Sequence, residues 1–152
     1  MMRSWKICTS LLIAVSAAMF AGSAAAQYKG DLTVQVEGLK GQKGLLCYKL
    51  FSGSQGFPDS NEKAVKKDCI KITKEPIKLT FKTLTAGSYA VAVFHDTNGD
   101  RKLNRNSAGM PLEGYGFSNN PAVKAGPPKF GQAVFLVAGP NTDIRIQMKY
   151  GT

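Results

Sequence analysis

Three segments of the chain alternate apolar and polar residues with a period of two. Leu32, Val34 and Val36 alternate with Thr33, Gln35 and Glu37; Ile77, Leu79 and Phe81 with Lys78, Thr80 and Lys82; Ile144, Ile146 and Met148 with Arg145, Gln147 and Lys149. That period belongs to strands with one face on a core and the other on water. Two further segments are apolar on both faces. In one, Tyr89, Val91 and Val93 form one row and Ala90, Ala92 and Phe94 the other. Strands of this kind are covered on both sides, so this segment is expected at the centre of a sheet. The second, Leu45 to Phe51, suits a central strand or one that changes sheet. Gln132 to Val137 reads as another strand, and Ala64 to Thr73 as a strand or an irregular edge. About seven strands, with no long helix after the first 26 residues, predict an all-β fold. A two-sheet β-sandwich is expected, with a small barrel as the alternative.

Gly38, Gly41, Gly87 and Gly139-Pro140-Asn141 punctuate these segments at turns. Ser52 to Asn61 is a polar loop, whose Phe57 is expected to lie as a lid over one end of the core. Tyr89 is expected to bury its ring and send its hydroxyl to nearby backbone. From Thr97 to Lys129 no long strand period appears, and a stretch of this length without regular structure is often functional.

The amino terminus has a different character. Arg3 and Lys6 precede an apolar run from Ile7 through Phe20, and small residues follow to Ala24-Ala25-Ala26. This three-part pattern predicts a secretory signal peptide over 1–26, cleaved after Ala26. The apolar run is short for a membrane anchor. Cys8 stands at the wrong end of it for a lipid-modified mature cysteine. Residues 27–152 then form a single domain with no transmembrane segment, periplasmic or secreted. Cys47 and Cys69 remain as an even pair in an oxidising compartment, which predicts a disulfide. Closing that loop would stabilise the fold by about 3 kcal/mol.

The formal net charge is +10. Much of it lies in Lys63, Lys66, Lys67, Lys71, Lys74, Lys78 and Lys82. No nucleic-acid-binding motif accompanies these lysines, and export argues against such a partner. An anionic polysaccharide or lipid surface is a better partner than nucleic acid, and the plainer role of these lysines is to line the solvent faces and edges of strands and aid solubility.

Two stretches carry candidate chemistry. Asp96, Asn98 and Asp100 alternate, Asn104 follows, and the Lys102 carbonyl falls between. Several hard oxygens on one turning loop are what calcium requires. The run matches the start of an EF-hand loop but has Asn104 in an acidic position and Ser107 in place of the closing glutamate. Capping of turns by the same side chains is the plainer role. The second stretch carries Tyr115 and Phe117, followed by Asn119 and Asn120. With His95 they form the candidate ligand-binding set, an aromatic face with hydrogen-bonding neighbours. His95, the only histidine, also reads as a structural residue bonding a loop carbonyl. A small envelope hydrolase would need His95 or Glu113 exposed in a cleft. No nucleophile elbow or phosphate-binding glycine loop is present, so no catalytic residue is assigned and enzymatic activity is not expected.

Three runs carry a family resemblance: Leu84-Thr85-Ala86-Gly87-Ser88-Tyr89-Ala90-Val91-Ala92-Val93-Phe94-His95-Asp96-Thr97-Asn98-Gly99-Asp100, Gly109-Met110-Pro111-Leu112-Glu113-Gly114-Tyr115-Gly116-Phe117-Ser118, and Pro128-Lys129-Phe130-Gly131-Gln132-Ala133. In combination they closely resemble the bacterial family DUF2141. The resemblance implies an exported small β-sandwich and brings no established catalytic residue or ligand. More loosely, Leu84-x-x-Gly87-x-Tyr89 resembles the strand opening of transthyretin-like and collagen-adhesin B-type modules. The expected fold is therefore an immunoglobulin-like or transthyretin-like sandwich. The expected role is non-catalytic binding or scaffolding at the cell envelope, with an envelope protein or glycan as partner. A calcium-stabilised structural domain is the alternative.

Overall fold

In the computed structural model, residues 28–123 and 126–151 are described. The signal-peptide expectation for 1–26 lies outside them. In chain order the elements are β1 (Lys29–Glu37), β2 (Leu45–Phe51), β3 (Lys66–Lys71), β4 (Ile77–Thr85), β5 (Gly87–Asp96), β6 (Gly114–Phe117), α1 (Phe130–Ala133), β7 (Phe135–Val137) and β8 (Asn141–Gln147). They form a sandwich of a three-stranded sheet, ordered β4-β1-β8, and a five-stranded sheet, ordered β3-β2-β5-β6 with β7 also on β5. The all-β sandwich class is as expected, with eight strands in place of about seven.

The three alternating segments build the smaller sheet. Val36 stands opposite Ile77 on one side and Ile146 on the other, and Val34 opposite Leu79 and Ile144. Leu32, Val34 and Val36 are fully buried. Each contributes roughly 1.5–3 kcal/mol relative to an exposed position. The pairing of β1 with β4 is antiparallel, but that of β1 with β8 is parallel, so the first and last strands are neighbours. Tyr48 of β2 meets Phe81 of β4 edge to face at 5.3 Å, joining the two sheets across the core.

The central strand is β5, as its two apolar faces require. One edge pairs with β2 along Ala90–Asp96. The other edge is shared: β7 takes Gly87–Tyr89 and β6 takes Ala92–His95. Ser118 bridges the gap between them. Its backbone amide donates to the Val91 carbonyl at 3.0 Å, its Oγ accepts from the Val91 amide at 2.9 Å, and its hydroxyl donates to the Ala133 carbonyl. The Tyr89 hydroxyl donates to the Thr85 carbonyl at 2.8 Å, as expected.

Two segments differ from their sequence reading. Residues 132–137 are not one strand. Gln132 and Ala133 belong to the short helix α1, because the Gln132 side chain accepts the Lys129 amide at 2.8 Å and turns the backbone. The second difference is β6, which lies within the stretch read as loop. Its inward positions are Gly114 and Gly116, where a side chain would collide with Tyr150 and with Ile146. Their lack of a Cβ lets the chain after β8 cross to the larger sheet. There the Tyr115 amide donates to Lys149 at 2.8 Å and the Lys149 amide returns the bond at 2.7 Å.

The Cys47–Cys69 disulfide joins directly opposed residues of β2 and β3. Among the described residues no helix is long and apolar enough to cross a membrane.

Candidate functional site

The loop leaving β5 is organised by two buried carboxylates. Asp96 is fully buried. Its Oδ1 accepts the amides of Gly99 at 2.7 Å and Asp100 at 3.2 Å, and its Oδ2 accepts Arg101 at 2.8 Å. Glu113 returns from the far end of the loop. Its Oε1 accepts the Thr97 amide at 2.8 Å and the Thr97 hydroxyl at 2.9 Å, and its Oε2 accepts the Asn104 amide at 3.0 Å. Backbone donors of this kind satisfy a buried charge without a counter-ion.

The remaining members of the expected calcium set point elsewhere. Asp100 Oδ2 accepts amide groups of Asn98 at 3.2 Å and Asn104 at 3.0 Å, while its Oδ1 accepts the Lys102 amide at 2.9 Å. These bonds hold its carboxyl below the usual range, the Asn104 bond contributing most. Asn98, Asp100 and Asn104 thus converge at the surface with one carboxylate, and Asp96 is turned inward. Among the described residues no group of three His, Cys, Asp or Glu side chains could hold a metal ion.

The candidate ligand-binding set does not share one face. His95 points into the sandwich and is 1% exposed. Its Nε2 lies 2.7 Å from the Lys43 carbonyl, and its Nδ1 2.7 Å from the Tyr150 hydroxyl. A carbonyl only accepts, so Nε2 carries the proton and Nδ1 accepts from tyrosine. The structural role read for this histidine is the one observed. Burial pushes the Tyr150 hydroxyl above its ordinary pKa. Asn120 joins the sheets: its Nδ2 donates to the Arg145 carbonyl at 3.1 Å and its Oδ1 accepts the Gln147 amide at 2.7 Å. The Asn119 side chain donates to the Val134 carbonyl. Tyr115 and Phe117 do lie together, on the outer face of the larger sheet.

The strand register fixes what else stands on that face. Across β3, β2, β5 and β6 one outward row is Cys69, Cys47, Phe94 and Tyr115, and the next is Lys67, Lys49, Ala92 and Phe117. A satellite cluster covers one end. Phe57 packs on Phe51 at 5.3 Å, Phe130 at 5.8 Å and Phe117 at 6.1 Å. Phe57 therefore covers the outside of the sheet, where it helps to bury Phe51, and not an end of the main core.

The rest of the face is an open groove. Three adjoining cavities of about 260, 240 and 410 Å³ run along it. The first two share Lys49, Phe94 and Arg101, and the last two share Leu103, Arg105 and Tyr115. Lys49 and Lys67 are direct cross-strand partners, an arrangement of like charges that costs stability. Their ammonium groups donate to the backbone carbonyls of Asp59 and Asn61. Burial pulls the Lys49 pKa below its ordinary value, with Lys67 adding to the effect and Asp59 opposing it. Arg101 holds a left-handed backbone, φ +62°. Lys67 belongs to the lysine-rich stretch noted from sequence, but Lys49, Arg101 and Arg105 were not among the residues singled out. The available signal was Lys49 itself, the one charged residue of an otherwise nearly apolar strand.

No curated protein and no solved structure matches the chain. A family model described as an uncharacterized protein conserved in bacteria matches residues 34–145, a span that takes in β2 to β7, the later part of β1 and most of β8. The chain belongs to the DUF2141 family.

Proposed function

We propose that the protein is an exported, non-catalytic binding module of the cell envelope, and that its ligand is anionic and lies in the groove on the outer face of the larger sheet. One observation carries this reading: Lys49 and Lys67 stand opposed on neighbouring strands beside Arg101, over a floor that includes Phe94 and Tyr115. Opposed lysines weaken a fold unless something else is gained, and an anion between them converts repulsion into attraction. The non-catalytic part of the reading is supported by the enclosure of the two groups best suited to acid–base chemistry. His95 and Glu113 are both buried and have their hydrogen bonds taken up within the fold. Export rests on the amino-terminal segment and the disulfide.

The test is titration of inorganic pyrophosphate into the isotopically labelled protein, read by amide chemical shifts. The expected result is saturable shifts centred on Lys49, Lys67 and Arg101, weakened in Lys49→Ala and Arg101→Ala. Shifts spread evenly over all surface lysines, with no effect of either substitution, would sink the reading.

A further inference from the structure

The groove changes character along its length. At the β3 end its walls carry three cationic side chains, Lys49, Lys67 and Arg101, against one carboxylate, Asp68. At the other end the largest of the groove's three cavities, about 410 Å³, is lined by Leu103, Met110, Pro111, Val123 and Pro127 as well as the Tyr115 and Phe117 rings, with Arg105 as its one charged residue among those described. Met110, at the rim of this cavity, is 54% exposed and so offers apolar surface to a ligand. The segment bearing it is held in place. Asn106 accepts the amides of Ala108 at 3.0 Å and Met110 at 2.9 Å, and the Asn106 amide donates to the Met110 carbonyl at 2.9 Å. The apolar wall is therefore a built feature, continuous with the basic end through the shared residues Leu103, Arg105 and Tyr115.

We infer that the ligand is a single-chain lipid with a phosphate head, its phosphate between Lys49, Lys67 and Arg101 and its alkyl chain along Leu103, Met110 and Pro127. This deepens the reading of the groove as an anion site and rests on it. A simple anion uses only the basic end and leaves the apolar cavity wet. A neutral amphiphile uses only the apolar end and leaves Lys49, Lys67 and Arg101 without a ligand contact. A phosphate head offers several oxygens to the two ammonium groups and to the planar guanidinium. The chain removes exposed apolar surface from water in a cavity of the size that takes small ligands.

The experiment compares methyl, butyl, octyl and dodecyl phosphate, each below its micelle concentration, with dodecyl maltoside as the neutral control, by calorimetric titration. Affinity is expected to rise about tenfold or more for each four methylenes added beyond butyl phosphate. Met110→Ser and Leu103→Ser flatten that dependence on chain length, while Lys49→Ala and Arg101→Ala weaken every phosphate alike. Met110 is on the surface, so its variant tests the chain site without disturbing the fold. Equal affinity for methyl and dodecyl phosphate overturns the lipid inference and leaves the anion site standing. Equal affinity for dodecyl maltoside and dodecyl phosphate overturns the phosphate head. Binding of none of them overturns the inference and the anion site together.

Discussion

The hydroxyl of Tyr150 lies 2.7 Å from Nδ1 of His95, although 55 positions separate the two residues. The same hydroxyl accepts the Lys40 amide at 2.8 Å, and the far side of the imidazole reaches the Lys43 carbonyl. A relay of three hydrogen bonds thus ties the β1–β2 loop, the central strand and the end of the chain into one unit.

Tyr150→Phe removes the middle of that relay and leaves a buried imidazole nitrogen without a donor. A loss of about 1–3 kcal/mol is expected, read as a lower midpoint in urea. The pH dependence changes as well. Burial raises the folded-state pKa of Tyr150, so its contribution is fully present below about pH 10, the unfolded value, and is lost as pH rises through the folded value. The alkaline limb of the stability profile is therefore shallower in Tyr150→Phe. It does not flatten completely, because burial raises Tyr48 and Tyr89 in the same direction. An unchanged alkaline limb would contradict this assignment.

Asp96→Asn exchanges one acceptor oxygen for a donor in a place where three backbone amides converge. At least one of those amides then loses its partner and the charge that strengthened the others. Destabilisation by about 2–4 kcal/mol is expected, with faster hydrogen exchange at Gly99, Asp100 and Arg101. A stability within experimental error of the parent would refute the organising role.

Arg101 separates stability from binding. Its left-handed backbone, φ +62°, costs an ordinary residue about 1 kcal/mol that glycine does not incur. Arg101→Gly is expected to be as stable as the parent or slightly more so. Pyrophosphate affinity should nevertheless fall roughly tenfold with the loss of a charge-assisted contact. Unaltered affinity would remove Arg101 from the site.

Calcium should add little. Asp100 is the one carboxylate where Asn98, Asn104 and Asp100 converge, since Asp96 is committed to backbone amides. Addition of about 1 mM calcium to chelator-treated protein is expected to raise Tm by less than about 2 °C. A rise above about 5 °C would show that the loop rearranges to offer more oxygens than its present bonds leave free.

The legible parts of this chain were those where one residue type repeats at a structural period. The alternation in β1, β4 and β8 marks strands because every second position is a large apolar residue. The strand β6 escaped that reading because its inward positions are Gly114 and Gly116, which bury nothing and leave no apolar mark. Gln132 and Phe135 looked like one strand because both lie in an apolar-rich run, and only the Gln132 bond to the Lys129 amide bends it. At the site, the acidic run after His95 was visible, but the direction of the Asp96 carboxylate is decided by backbone amides that no composition displays. The groove was still harder to see. Lys49, Arg101 and Tyr115 come from three separate stretches: the cross-strand register brings Lys49 and Tyr115 to one face, and the loop after β5 brings Arg101.

The parallel neighbourhood of β1 and β8 has a consequence for how the molecule comes into being. The strand β1 meets β4 on one edge, but its other edge waits for β8, far along the chain, and the same stretch supplies Ile146 to the core and Tyr150 to the imidazole. No amino-terminal fragment can rehearse the finished fold, because its sheet has an open edge and its histidine has no phenol. Closure of the smaller sheet is therefore a long-range event, of the kind whose loop-closure entropy slows folding.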